Sequence, residues 1–320
     1  MNEVRTVAEQ GGETVAAHVR NALDVPWSRA RKLCWDGKVL VDGERAADPA
    51  ARVKRGATIV IRPDAPREVV GEHTLDPARI VFLDGEVVVV DKPAGLQSVP
   101  FGADDRDSVV QRLEVALRRV EKRRAPPPRV VHRLDKDTTG LIVFARTRAA
   151  ERELGQQFRV HSVHRRYLGL AHGDVREQTL RSVLIADRGD GLRGSWRRSG
   201  RAPEGKDAIT HVTVDGRHVT SCEGGSAVVT WVRCRLETGR THQIRIHLSE
   251  SGHPLVGEPV YNRGFADPGL RWPPGISPRV MLHAAELGFV HPGTGDELAF
   301  TATEPSDFVA WRDHLRTPLR

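Results

Sequence analysis

Two carboxylates, a histidine and an arginine crowd the segment Val131-His132-Arg133-Leu134-Asp135-Lys136-Asp137-Thr138-Thr139-Gly140, which runs directly into the apolar stretch Leu141-Ile142-Val143-Phe144. A loop of this kind sets ionisable groups at the edge of a buried core. A carboxylate there can do chemistry if a cation keeps it charged. The same composition also reads as a salt-bridged turn. Asp135 and Asp137 lie two residues apart and would point the same way if the segment were extended, as a hydrolase or lyase pair would require. Nothing else in the chain supports a glycosidase.

Four further segments combine polar groups with apolar neighbours. Asp91-Lys92-Pro93-Ala94-Gly95-Leu96 reads either as a rigid loop presenting the Lys92 cation or as a plain surface turn. Arg165-Arg166-Tyr167 carries one of only two tyrosines, a ring able to stack on a base or to sit in a core with its hydroxyl at the rim. In Glu237 to His247, alternation of Gln243, Arg245 and His247 with Ile244, Ile246 and Leu248 is the pattern of a strand with one polar face. His242 and His247 are close in sequence, yet there is no H-E-x-x-H, no suitably spaced carboxylate and no cysteine partner, so no metal site is expected. Met281-Leu282-His283-Ala284 precedes an expected strand, Leu287 to Val290.

These groups need elements to hold them. Val15, Val19 and Leu23 recur at helical spacing until Asp24-Val25-Pro26 breaks the pattern. A second helix is expected from an N-cap at Ser28 to Trp35, carrying Arg29, Arg31 and Lys32. Asp36-Gly37 and Asp42-Gly43 then flank the strand Lys38 to Val41, and Thr58 to Ile61 forms another. Further strands are expected at Phe82-Leu83, Val87 to Val90, Leu141 to Phe144, Ile209 to Val214 and Ala227 to Leu236, with helices at Ser108 to Val120 and Ala149 to Phe158. Strands and helices interleave without regular alternation. The expected class is α+β, a mixed, mainly antiparallel sheet with flanking helices plus a small α/β N-terminal domain. The domains divide as 1–64, a linker at 65–76, and 77–320.

Bulk properties narrow the function. The 320 residues carry 49 Lys and Arg against 42 Asp and Glu, a net charge of +7 that suits a polyanionic partner. Cys34, Cys222 and Cys234 form no C-x-x-C pair, against a disulfide framework or zinc ribbon. No signal-peptide core and no long apolar run is present, which points to the cytoplasm and away from membranes. Phosphate-binding glycine fingerprints and a G-x-S-x-G elbow are missing too, which removes the commonest dehydrogenase, kinase and hydrolase readings.

Taken together, the segments resemble the RluA-type family of RNA pseudouridine synthases. The matches follow the family's order: Asp91 to Leu96, His132 to Asp135 with Thr138 and Gly140, Tyr167, Thr238 to His247, Gly252 to Leu255, and Leu282 to Ala284. Residues 10 to 62 resemble the S-four type RNA-binding module, through the helical pair, Ser28-Arg29 and the Gly37-x-Val39-x-Val41-x-Gly43 hairpin. The resemblance implies that Asp135 is the essential carboxylate, acting on ribose as nucleophile or base. It makes Arg245 the cation paired with Asp135, Tyr167 the aromatic against the target base, and Arg133 the residue that fills the position the base vacates. It also places His132, Thr138, Lys92, Arg240, His242, Gln243 and His247 against substrate, and Arg29, Arg31 and Lys32 against RNA. No cofactor or metal is implied, and the expected protein is a monomer acting on RNA. Its target is large-subunit rRNA, with tRNA or both as the alternative. A second reading, an inactive RNA-binding ribosome-assembly factor, would have lost Asp135, Tyr167 or Arg245, and all three are present. Departures from the pattern are Thr139 for Ser, Arg165 for Lys, and Asp42 for Asn.

Overall fold

The computed structural model describes residues 3–9, 11–35, 38–46, 49–64, 74–100, 107–121, 127–196 and 205–316. The chain forms two compact units, Met1–Gly71 with Ala186–Gly194, and Glu72–Ile185 with Ser195–Arg320. The Asp36-Gly37 turn and most of the expected linker lie outside the described residues.

The first unit contains β1 (Val4–Val7), α1 (Val15–Leu23), α2 (Trp27–Trp35), β2 (Val39–Val41), β3 (Glu44–Arg45) and β4 (Thr58–Ile61), with sheet order β1-β4-β2-β3. Thr14 caps α1 by accepting from the Ala17 amide, and Asp24 ends it in the left-handed region at φ 49°. The second helix starts two residues earlier than an N-cap at Ser28 would place it. The Pro26 carbonyl accepts from the Arg29 and Ala30 amides, so Ser28 sits inside the first turn and does not cap it. Val19, Ala30, Leu33, Cys34, Ile59 and Ile61 close this unit's core.

The second unit runs β5 (Ile80–Leu83), β6 (Val87–Lys92), α3 (Val109–Val120), β7 (Arg129–Val130), β8 (Thr139–Ala145), α4 (Arg148–Arg159), β9 (His164–His172) and β10 (Gln178–Ile185). It continues with β11 (Gly194–Ser195), β12 (Lys206–Cys222), β13 (Gly225–Leu236), α5 (Gln243–Glu250), β14 (Leu282–Val290), β15 (Glu297–Thr301) and α6 (Ser306–Arg316). The sheet order is β11-β10-β12-β13-β9-β14-β8-β6-β5, with β7 and β15 added on β8 and β14. Among the described strand–strand pairings only β14 with β8 is parallel, so the α+β expectation holds.

The sheet is covered on both faces, which is why its central strands read as unbroken apolar runs. Val88 and Val90 pack with Ile142, Phe144 and Leu113 in one core. Val87 and Val89 pack with Leu141, Val143 and Leu154 in another. Neighbouring valines thus serve opposite faces.

Three strands bring the chemistry-bearing segments together. Tyr167 on β9 pairs with Ala284 on β14, and Ala284 pairs with Gly140 on β8. Gly140 has φ +104°, and a Cβ there would lie 2.3 Å from the Ala284 carbonyl oxygen. Only glycine allows β8 and β14 this close directly after the Asp135 loop.

Two expectations change. The segment Gln243 to His247 is helical, in α5, and not a strand. Residues 243 to 248 are buried all round, so no polar face marks the helical period. The strand expected at Ile209 to Val214 extends over Lys206–Cys222, with a register shift between Val214 and Gly216.

Candidate active site

A cleft of about 640 Å³ opens in the second unit between the loop before β8, one face of α4, and the turn entering α5. Asp135 lies in its wall, with its side chain 18% exposed. The loop carrying it is pinned at nearly every residue. Ser98 Oγ donates to the Leu134 carbonyl at 2.7 Å and accepts from the Leu134 amide at 3.0 Å. Arg279 donates to the Asp137 carbonyl at 3.0 Å, and the Thr138 amide returns to the Asp135 carbonyl at 3.2 Å. That turn sends Asp137 elsewhere. Asp135 lines the cleft and Asp137 does not, so the two carboxylates do not form a pair there.

Lys92 is one of the pins. Its ammonium is fully buried and donates to the carbonyls of Pro93, Leu96 and Lys136 at 2.7 to 2.8 Å. Burial pulls its pKa down to about 7 against the opposing pull of Asp137 and Asp135. All three protons are used inside the protein. The expectation that this loop presents a cation to substrate is therefore corrected: Lys92 is absent from the cleft wall and ties the Asp91–Leu96 loop to the Asp135 loop.

Two nitrogens face Asp135. Arg245 Nη1 is 3.6 Å from Oδ2, and His242 Nε2 is 3.8 Å from Oδ1. Burial raises the Asp135 carboxyl, but His242 in its protonated form, Arg245, Arg133 and Lys92 together outweigh it and hold the group below the ordinary carboxylate value. Asp135 is ionised at neutral pH. Arg245 is itself fixed from behind, since Nε and Nη2 donate to the two Glu258 oxygens at 2.7 and 2.8 Å. Glu258 Oε1 also accepts from the Val260 and Tyr261 amides at 3.0 and 3.1 Å. This fork leaves Nη1 for Asp135. Tyr261 completes the arrangement, with its ring 5.3 Å from the Arg245 guanidinium and its hydroxyl 2.6 Å from His242 Nδ1. Reasoning from sequence missed Glu258 and Tyr261. The one local signal was that a chain with two tyrosines places one of them two residues after a Gly-Glu-Pro turn.

His242 adopts φ 59° at the start of α5, a left-handed conformation that costs about 1–3 kcal/mol for a residue other than glycine. It is kept by its surroundings.

Tyr167, which is 8% exposed, and Arg165 also line the cleft. Burial pushes the Tyr167 phenol up, Arg165 opposes this, and Asp135 adds to it. The hydroxyl stays protonated. Arg165 lies 5.6 Å from the Phe158 ring and donates to the Glu237 carbonyl at 3.3 Å.

The remaining expected residues divide into two groups. Arg133, Thr138 and Arg240 line the cleft, and Arg133 is exposed. His132 also borders it, but its ring accepts from the Val143 amide at 3.0 Å and stacks on Phe158 at 4.4 Å. Burial drops its pKa to about 3, helped by Arg165, so it is a neutral anchor. Gln243 is a clamp. Its Oε1 accepts from Thr238 Oγ1 and the Arg240 amide, while Nε2 donates to the Ile209 carbonyl and Thr210 Oγ1. His247 lies outside the cleft wall, held by Thr210 and Ser182 at 2.9 Å each. Residues 243 and 247 share one helix face while 245 points the other way, which is why one segment both clamps β12 and presents Arg245. In the first unit Arg29 is exposed, and Arg31 lies 5.6 Å from the Trp27 ring and 3.4 Å from the Gly191 carbonyl. Lys32 shares their helix and is partly exposed. Among the described residues no three histidines, cysteines or carboxylates cluster as a metal site, and no helix is long and apolar enough to cross a membrane.

The cleft is therefore a basic, aromatic-lined recess in which the ionised Asp135 faces Arg245 and His242, suited to taking a nucleoside out of a polyanion. Comparison with known proteins agrees. A family model described as RNA pseudouridylate synthase matches residues 86–250, and an S4 domain model matches residues 25–59. Ribosomal large subunit pseudouridine synthase D of Vibrio parahaemolyticus is 36% identical over 92% of this chain and 88% of its own. The protein of the same name from Zymomonas mobilis is 35% identical over 83% and 81%. Human RNA pseudouridylate synthase domain containing 4 shares the fold, with a TM-score of 0.56 at 22% identity, covering 76% of this chain and 94% of that one. The chain belongs to the RNA pseudouridylate synthase family, as an isomerase of the RluA type.

Proposed function

We propose that the protein converts specific uridines of large-subunit ribosomal RNA to pseudouridine in the cleft around Asp135, working as a monomer in the cytoplasm. The observation that carries this reading is the carboxylate itself: Asp135 faces Arg245 and His242 in a cleft that Tyr167 also lines.

The reaction breaks the bond from C1′ of ribose to N1 of uracil and joins C1′ to C5. N1 ends with a proton and C5 loses one, so the change is an isomerisation without redox or phosphoryl chemistry. The target uridine leaves its stack at a cost of a few kcal/mol. Tyr167 receives the base against its ring, and the Arg133 guanidinium stacks where the base had been. Asp135 then acts on the ribose, as nucleophile or as base. Either role requires the ionised form beside RNA, whose phosphates raise a carboxylate pKa. Arg245 opposes that rise. The helix bearing Arg29, Arg31 and Lys32 supplies phosphate contacts that position the RNA without reading its sequence.

The names of the relatives support ribosomal RNA as the target, and the S4 match supports a second RNA contact. Mapping pseudouridines in total RNA from cells with and without the gene tests the target. Loss at defined large-subunit positions is expected, whereas loss confined to transfer RNA would overturn it.

A further inference from the structure

His242 stands between Asp135 and the second tyrosine of the chain. Its Nε2 lies 3.8 Å from Asp135 Oδ1, and its Nδ1 lies 2.6 Å from the Tyr261 hydroxyl. A neutral imidazole carries one N–H, and the hydrogen bond made by one nitrogen decides whether the other bears the proton. A tyrosine hydroxyl can donate or accept, so this contact alone allows both directions. The carboxylate removes the ambiguity. An unprotonated Nε2 would turn its lone pair toward the negative charge of Asp135. The favourable arrangement has Nε2–H directed at Asp135 and Nδ1 accepting from the Tyr261 O–H. The rest of Tyr261 is placed to hold that hydroxyl still. The residue is 3% exposed, its ring faces the Arg245 guanidinium at 5.3 Å, and its amide donates to Glu258 at 3.1 Å.

We infer that Tyr261 is a positioning residue for the reaction: its hydroxyl fixes His242 in the Nε2–H tautomer and so aims an N–H at Asp135. This rests on the reading of Asp135 as the essential carboxylate. The N–H adds a second favourable contact to the ionised carboxylate without placing another full charge in the cleft. Arg245, forked onto Glu258, supplies the charge. Tyr261 therefore touches both groups that face Asp135 and controls one of them through a single proton.

The test uses the full-length protein with isotope-labelled histidine and long-range proton–nitrogen correlation spectra, which separate the two tautomers. The His242 signals are assigned by their loss in His242→Gln. The expected wild-type form at neutral pH is the neutral Nε2–H tautomer. Tyr261→Phe keeps the ring under Arg245 but removes the hydroxyl. It should erase that tautomer preference and lower kcat on transcribed large-subunit RNA roughly 3- to 10-fold at little-changed KM, the factor carried by one hydrogen bond between neutral groups. Glutamine at 242 offers a donor whatever the tautomer, so Tyr261→Phe should cost little further in a His242→Gln background. An Nδ1–H tautomer or an imidazolium in the wild type overturns the inference, as does an equal penalty in both backgrounds. Asp135→Asn, assayed alongside, separates the two claims. Turnover by that variant removes the reading of Asp135 itself. An inactive Asp135→Asn beside a fully active Tyr261→Phe removes only the role of Tyr261.

Discussion

Removing the positive charge at position 245 while keeping its surroundings neutral isolates what that charge does for Asp135. Arg245→Met alone would strand Glu258, a carboxylate 1% exposed, and a broken buried pair costs about 3–5 kcal/mol of stability. The informative variant is Arg245→Met combined with Glu258→Gln, which deletes cation and counter-charge together. Arg245 Nη1 lies 3.6 Å from Asp135, and the two side chains are 8% and 18% exposed. At that separation opposite unit charges attract by about 5 kcal/mol at an effective dielectric near 20 and by about half as much where water enters. The carboxyl should therefore rise by roughly 2–3 pH units, at 1.36 kcal/mol per unit. The sign follows from the role. Asp135 is held below its ordinary value and acts ionised, so activity is present above its folded pKa and is lost as pH falls through it. Without the cation this acid limb moves to higher pH, and the variant regains activity under alkaline conditions where the wild type gains nothing. The assay is pseudouridine formation on one RNA across the pH range, read as kcat/KM. An equal loss at every pH, with the acid limb unmoved, would refute the reasoning and assign Arg245 to substrate contact.

Lys92→Met leaves the carbonyls of Pro93, Leu96 and Lys136 without their donor. A loss of about 3–5 kcal/mol in urea unfolding is expected, and wild-type stability would show that the three hydrogen bonds are idle. Gly140→Ala adds a methyl group 2.3 Å from the Ala284 carbonyl oxygen at φ +104°. Strain and overpacking together should cost about 3–5 kcal/mol, seen as a large drop in Tm or in soluble yield; an unchanged Tm would contradict the close approach of β8 and β14. Arg29→Ala with Lys32→Ala should weaken RNA binding and reduce the slope of log affinity against log salt by about one for each phosphate no longer engaged. An unchanged slope would remove α2 from the RNA-binding surface.

The sequence carried the site's membership better than its geometry. Asp135, Tyr167 and Arg245 are named by local motifs, and the fold does bring them to one cleft. Their supporting partners were not legible, because Glu258 and Ser98 reach the site only through long-range packing that no local spacing encodes. The same limit explains Lys92 and His132, whose types suggested ligand contact but whose polar atoms are used up inside the loop network. The strand reading of Gln243 to His247 failed for a different reason. A helix buried on every side keeps no 3.6-residue pattern, and a chance alternation of polar and apolar residues then imitates a strand. Conversely, β12 was seen only in part. Over much of its length it is half exposed, and its polar residues and Gly216 read as loop.

The central claim is that one ionised carboxylate, Asp135, carries the isomerisation. Its most direct test is Asp135→Asn, a near-isosteric change that keeps the loop anchors at Leu134 and Lys136. Purified wild-type and variant proteins are incubated with unmodified large-subunit RNA, and pseudouridine is quantified beside RNA affinity. Pseudouridine is expected from the wild type, none from Asp135→Asn, and the same affinity for both. Turnover by the variant, or its failure to bind RNA at all, would contradict the claim.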